Sequence, residues 1–175
     1  QWILSSSGGS SLIAANFGLG LAIAKFINGF VTPETAEIYR KNFKPSSLFP
    51  KPEVLLSIQV ACAETEEKAR EMRKFIDYIF VQLERGNANN FGDLDYIKNY
   101  TFQPIEEEII LRNSGRVISG TPDYVKEQLI KLANDFDVEE IIITTMAFDY
   151  EARRKSFELL AEAFELNKNV SETNN

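Results

Sequence analysis

Hydrophobic and polar positions along the chain fall into two patterns: short continuous apolar runs, and longer stretches whose apolar residues recur every three or four positions. The first suits strands buried on both faces of a parallel sheet, and the second suits helices with one face on that sheet. The strands expected are Trp2-Ile3-Leu4, Leu19 to Ala24, Val54 to Ala63, and Glu139 to Thr145 with its β-branched centre. Between the first two, Ser10 or Ser11 is expected to cap a helix through Phe17, with Gly18 as its stop. Thr32-Pro33-Glu34 opens a helix reaching about Asn42, with Thr32 as cap and the proline at its first position. Glu64-Thr65-Glu66-Glu67 begins the longest helix, to about Glu84, with Ala69, Met72, Phe75, Ile76, Ile79, Phe80 and Leu83 as its core stripe. Thr121-Pro122 starts another, with Val125, Leu129, Leu132, Ala133 and Phe136 on its apolar face. Asp149 opens the last, with Ala152, Phe157, Leu160, Ala163 and Phe164 inward.

The pattern is strand then helix, four times over, which implies parallel strands joined by right-handed crossovers. Phe43 to Pro52, with three prolines, reads as a surface linker. The region from Gly86 to Gly120 is an insertion before the last strand-helix unit. It holds an asparagine-rich loop, short helices near Asp93–Asn99 and Ile105–Arg112, and a brief extended piece at Arg116–Ser119. Insertions of this kind are where binding loops and lids are found. Four such units make either a small open α/β sheet or half of an eight-stranded barrel, which needs about 250 residues. Residues 1–166 form the structural body, and Asn167 to Asn175 is expected to be a polar, disordered tail.

Composition narrows the function classes. With 175 residues and 44% hydrophobic content, the chain can bury a real core. Its net charge of −7 and the lack of a basic stripe argue against a nucleic-acid partner. No apolar run approaches the ~20 residues of a membrane span, and no signal layout precedes the first strand, so the cytoplasm is the expected compartment. A lone cysteine, Cys62, sits in an apolar strand and reads as a buried small hydrophobe. The absence of histidine removes the commonest general base, the Ser-His and Cys-His nucleophile systems and most zinc sites. No metal site is expected: Glu106-Glu107-Glu108 point in different directions around a helix and read as a solvated face. Because the chain opens at Gln1, almost directly in a strand, it is expected to be a piece of something longer.

The candidate chemistry lies in Leu4-Ser5-Ser6-Ser7-Gly8-Gly9-Ser10-Ser11, between an apolar run and an Ala-rich helical stretch. Strand, tight turn and helix N-terminus together favour an anion, because free amides and the positive dipole end face it. Glycines let the backbone approach a phosphate, and serine hydroxyls donate to its oxygens. The same residues also suit a plain cap and a solvated turn, and they lack the spacing and lysine of a P-loop.

Three segments together resemble the bacterial-luciferase-like flavin-dependent monooxygenases, a TIM-barrel family. Trp2-Ile3-Leu4-Ser5-Ser6-Ser7 through Ala14-Ala15-Asn16-Phe17-Gly18-Leu19 is like that family's L-G-S-S-x-x-S-A-x-x-A-A-x-L-G-L. Glu37-Ile38-Tyr39-Arg40-Lys41-Asn42-Phe43-Lys44-Pro45-Ser46, then Ala63-Glu64-Thr65-Glu66-Glu67 after the next strand, form the second. Gly120-Thr121-Pro122 through Ile141-Ile142-Ile143-Thr144-Thr145 to Ser156-Phe157-Glu158-Leu159-Leu160-Ala161 form the third.

The resemblance implies the C-terminal half, strands five to eight, of a (β/α)8 barrel. It further implies a protein that uses reduced FMN and molecular oxygen to oxidise a small organic substrate. In the family the loop after strand five holds the flavin phosphate. Carried over position by position, that role falls to Ser7 and Ser10, with Ser6 contributing by backbone or side chain and the amides near Gly8 and Gly9 around them. Lys25 stands where luciferases carry a tryptophan, at a strand's C-terminal end, in reach of an anionic or reduced flavin or of solvent. Gly20 departs from the family's usual proline. The family's phosphate arginine and catalytic histidine belong to the N-terminal half, so no catalytic residue is assigned, and little turnover is expected from this half alone. Its expected partner is an N-terminal half chain or a second copy of itself, since a half barrel leaves edges unpaired. Two other readings stay open: a non-catalytic flavin-binding or scaffold protein, and a deazaflavin-dependent oxidoreductase on the same fold.

Overall fold

A computed structural model describes residues 1–87 and 92–166, and the expected tail at Asn167 to Asn175 lies outside them. The chain divides into two units. The first comprises Gln1–Gln59, Gly115–Val117 and Leu129–Thr144, and the second Val60–Ser114, Ile118–Gln128 and the residues from Thr145 onward.

In the first unit, β1 (Trp2–Ser5), β2 (Gly20–Ala24), β3 (Val54–Cys62) and β5 (Ile141–Thr144) make a parallel sheet, with α1 (Gly8–Phe17) and α2 (Glu34–Asn42) as crossovers. The register places Trp2 beside Gly20, Leu21 beside Val54 and Leu56 beside Ile141. Every residue of β2 is buried, as its unbroken apolar run requires. Ala14 and Ala15 of α1, Leu21, Ile23, Leu56 and Tyr39 form the core of this unit. Tyr39 fills it without a polar penalty, because its hydroxyl donates to the Leu19 carbonyl (2.8 Å) and accepts from the Glu53 amide (3.2 Å). Gly18 ends α1 in the left-handed region (φ 61°), where a Cβ would stand 2.5 Å from the Lys44 carbonyl oxygen.

The second unit contains the end of β3, α3 (Glu66–Glu84), α4 (Leu94–Asn99), α5 (Pro104–Asn113), all but the first residue of β4 (Val117–Gly120), the start of α6 (Pro122–Phe136) and α7 (Tyr150–Ala163). Thr65, Asp93 and Asp149 cap α3, α4 and α7, each side chain accepting an amide two or three residues into its helix. No helix among the described residues is long and apolar enough to cross a membrane.

Several expectations change. Helix α1 starts at Gly8 with Ser7 as its N-cap, so the two glycines belong to the helix and not to the loop before it. Thr32 donates to the Glu34 carboxylate (2.7 Å) instead of capping α2, whose N-cap is Pro33. The extended piece near Arg116 is a true strand, β4, alongside β3, with the Ala63 amide donating to the Gly120 carbonyl (3.1 Å). The strand expected as the fourth is therefore the fifth. Leu83 and Phe157 lie more than 40% exposed, while Asp77, Gln82 and Ser156 are buried.

Glu106 overturns the solvated reading of the acidic triplet, since it has no exposed surface. Its carboxylate accepts from the Tyr100 hydroxyl (2.9 and 3.1 Å), the Gln103 amide (2.9 Å) and Arg85. A capping box at the start of α5 turned this carboxylate inward, and Glu107 and Glu108 remain exposed.

Candidate functional site

Strand β1 ends at Ser5, the chain turns through Ser6 and Ser7, and α1 begins at Gly8. Ser7, extended at φ −155° and ψ 161°, makes no side-chain capping bond, so the first amides of the helix have no side-chain partner there. Ser7, Gly8 and Gly9 are exposed, and Ser6 and Ser10 are half-buried. A Cβ built on Gly8 or Gly9 would meet nothing within 4 Å. The helix mouth is therefore open, rich in donors and free of carboxylates on its own turn, a setting that favours an anion.

Three side chains outside the expected phosphate-binding set organise this turn. Buried Ser5 donates from Oγ to the Ser7 carbonyl (2.6 Å), and buried Ser11 donates to the Gly8 carbonyl (2.6 Å). Asn28, in the loop after β2, donates from Nδ2 to the Ser6 carbonyl (2.9 Å) and accepts the Phe30 amide at Oδ1 (3.0 Å). The serines lie in the Ser/Gly stretch itself, where hydroxyl content was a signal without a direction. Asn28 gave none, because its partner is 22 residues away.

Lys25 follows the last residue of β2 and is half-buried. Its ammonium donates to the carbonyls of Gly29 (2.6 Å) and Val31 (3.2 Å) and lies 5.9 Å from the centre of the Phe136 ring. Burial pulls its pKa below the usual lysine value. The same loop is held from β4's side by Arg116, which donates to the Phe26 carbonyl (2.8 Å). It also packs through Gly29, where a Cβ would sit 2.8 Å from the Gly115 backbone. The structure thus gathers Ser6, Ser7, Gly8, Gly9 and Ser10 on one turn. Lys25 sits in the neighbouring loop, which reaches that turn through Asn28.

In the second unit the buried Cys62 thiol is pushed up to about 11 by burial, so it is neither thiolate nor nucleophile at neutral pH. Its amide donates to the buried Ser156 hydroxyl (3.0 Å). Among the described residues no group of three or more Cys, Asp and Glu is placed to hold a metal ion.

No protein-family model matches the chain. Over 164 residues it is 38% identical to the uncharacterized protein YwcH of Bacillus subtilis, covering 93% of this chain and 49% of YwcH. It is 27% identical over 164 residues to the luciferase-like monooxygenase of Escherichia coli K12, covering 94% and 49%. The structure matches apo-MsnO8 with a TM-score of 0.82 at 33% identity, covering 94% of this chain and 50% of that one. Two more distant structures share the fold. One is the oxygenating constituent of 3,6-diketocamphane monooxygenase from Pseudomonas putida in complex with FMN (TM-score 0.55, 18% identity, 93% and 46% covered). The other is the coenzyme F420 dependent tetrahydromethanopterin reductase from Methanopyrus kandleri (0.59, 15%, 93% and 49%). The chain spans about half the length of the curated relatives it matches.

Proposed function

We propose, for a chain that belongs to the luciferase-like monooxygenase family, that residues 1–166 are the C-terminal half of a flavin-dependent monooxygenase whose reduced FMN is held by its phosphate at the β1–α1 turn. The observation that carries this reading is the open, uncapped mouth of α1. The donors present suit a phosphate. Ser7 and Ser10 supply hydroxyls, Gly8 and Gly9 supply amides that no side chain obstructs, and the Ser6 backbone leads into them. Lys25, whose ammonium is held by the Gly29 and Val31 carbonyls in the neighbouring loop, is the further residue proposed to face the flavin. When bound, reduced flavin supplies the electrons by which oxygen oxidises a small organic substrate, while the protein binds, orients and excludes water. With no histidine in the chain, a catalytic imidazole has to come from the other half.

That other half is also the proposed partner. Trp2 and Leu4 of the edge strand β1, and Ile142 of β5, are 42%, 54% and 44% exposed, an association-prone set. Native mass spectrometry of the purified protein distinguishes a complementary half chain from a second copy.

Binding tests the cofactor reading. FMN and riboflavin are titrated against the protein in its native assembly, with coenzyme F420 as a third arm because the turn reads phosphate and not the ring. Ser7→Ala combined with Ser10→Ala is expected to weaken FMN about tenfold or more and leave riboflavin unchanged. Wild-type protein that binds FMN no better than riboflavin would refute the phosphate reading. Preference for F420 over FMN would assign hydride transfer instead, and binding without substrate-dependent oxygen consumption would assign a scaffold.

A further inference from the structure

We infer that Ser5, Ser11 and Asn28 are positioning residues for the phosphate turn, each holding one of three consecutive carbonyls so that the amides of Ser7, Gly8 and Gly9 face the anion. This rests on the reading that the β1–α1 turn holds a phosphate. A trans peptide is planar, with its C=O and the following N–H pointing in opposite directions. Fixing the Ser6 carbonyl on Asn28 (2.9 Å) therefore turns the Ser7 amide away from Asn28. Fixing the Ser7 carbonyl on Ser5 (2.6 Å) does the same for the Gly8 amide, and Ser11 on the Gly8 carbonyl (2.6 Å) does it for Gly9.

The direction of these bonds separates the inference from ordinary capping. A capping serine or asparagine accepts an amide proton and so consumes the donors of a helix N-terminus. Here all three side chains donate to carbonyls, and the Ser7 side chain at the cap position accepts no amide. Acceptors are saturated while donors stay available, the arrangement an anion site needs and a self-sufficient helix start does not. Ser5 and Ser11 are fully buried, so their hydroxyls serve the turn and do not touch a ligand themselves. Asn28 alone brings tertiary information. Its Oδ1 is committed to the Phe30 amide, which leaves Nδ2 for the Ser6 carbonyl, and Lys25 anchors the same loop at Gly29 and Val31.

The experiment measures FMN and riboflavin dissociation constants by flavin-fluorescence titration on the protein in its native assembly, for wild type, Asn28→Ala, Ser5→Ala and Ser7→Ala, with thermal unfolding alongside. Asn28→Ala and Ser5→Ala are expected to weaken FMN about tenfold while riboflavin changes less than about twofold. Asn28→Gln, which keeps the amide donor, is expected to recover part of the preference, and Asn28→Ser replaces Asn28→Ala if the latter does not fold. Loss of FMN and riboflavin affinity in equal measure would mean a general structural role and overturn the inference. So would an unchanged preference in Asn28→Ala and Ser5→Ala while Ser7→Ala loses it, which leaves the phosphate reading standing. A wild type with no preference for FMN overturns the phosphate reading and this inference together.

Discussion

The β1–α1 turn and the Glu106 cluster are both dense in polar groups, yet they resolve their hydrogen bonds in opposite ways. Glu106 is buried, and its two oxygens take the Tyr100 hydroxyl, the Gln103 amide and Arg85. Tyr100 in turn stacks edge-on against Tyr78 (5.1 Å) and Phe102 (5.4 Å), and burial together with Glu106 raises its pKa. Everything there is spent internally, which makes a staple for the insertion. The turn at Ser6 to Ser10 satisfies its carbonyls and leaves its amides at an open mouth. Polar density therefore says little about function. What matters is whether donors remain after the local account is settled.

The sharpest way to break this comparison is Glu106→Ala. It strands the Tyr100 hydroxyl and the Gln103 amide and opens a cavity, and is expected to lower unfolding free energy by about 3 kcal/mol in a denaturant titration. Ser7→Ala is expected to change stability by less than about 0.5 kcal/mol, because no capping bond is lost. Equal losses at the two positions would erase the distinction.

Next in size is a pair of glycines at the two ends of α1. Gly18→Ala forces a side chain into the left-handed region and against the Lys44 carbonyl, at a cost of about 2 kcal/mol. Gly8→Ala meets open space inside a helix, so thermal unfolding is expected to hold or to rise by up to about 1 kcal/mol. The same Gly8→Ala is expected to weaken FMN, since its methyl enters the space proposed for the phosphate. A Gly8→Ala variant that binds FMN as wild type does would place the ligand elsewhere.

The smallest effect concerns Asp77, which is 8% exposed and bonded to Arg73 (2.8 Å). Burial raises its pKa above 3.8, with Arg73 opposing. A carboxyl whose folded pKa is raised binds more protons when folded, so its penalty is present above that folded value and is relieved as pH falls toward 3.8. Relative to Asp77→Asn, wild type is therefore expected to gain stability as pH is lowered through this window, read from parallel urea titrations. A gap that widens the other way would show that Arg73 outweighs burial.

Much of the fold was legible because the signals are local. An unbroken apolar run marked β2 and a mostly apolar one marked β3, Gly18 marked the end of α1, and Thr65, Asp93 and Asp149 fell at helix starts, where their side chains accept amides. Strand β4 was read only as a brief extended piece, since four residues beside a short helix carry too little periodicity to announce a sheet position. In α7 the apolar spacing put Phe157 inward, whereas Ser156 took the buried place because it meets the Cys62 amide. At the candidate site the turn and its residue types could be read from the sequence, and Asn28 could not.

The sequence by itself determined the alternation of strands and helices, the absence of an imidazole and the concentration of serine and glycine at one helix mouth. These follow from residue types and spacings within a few positions of each other. Only the tertiary structure decided which of those polar groups are consumed and which are left over. It buried one glutamate of three, turned Lys25 onto its own loop, and brought Asn28 to the Ser6 carbonyl across 22 residues. A hydrogen bond needs its partner within about 3 Å. Whether a side chain is satisfied is thus a property of distances between remote segments, and no local pattern of residue types encodes them.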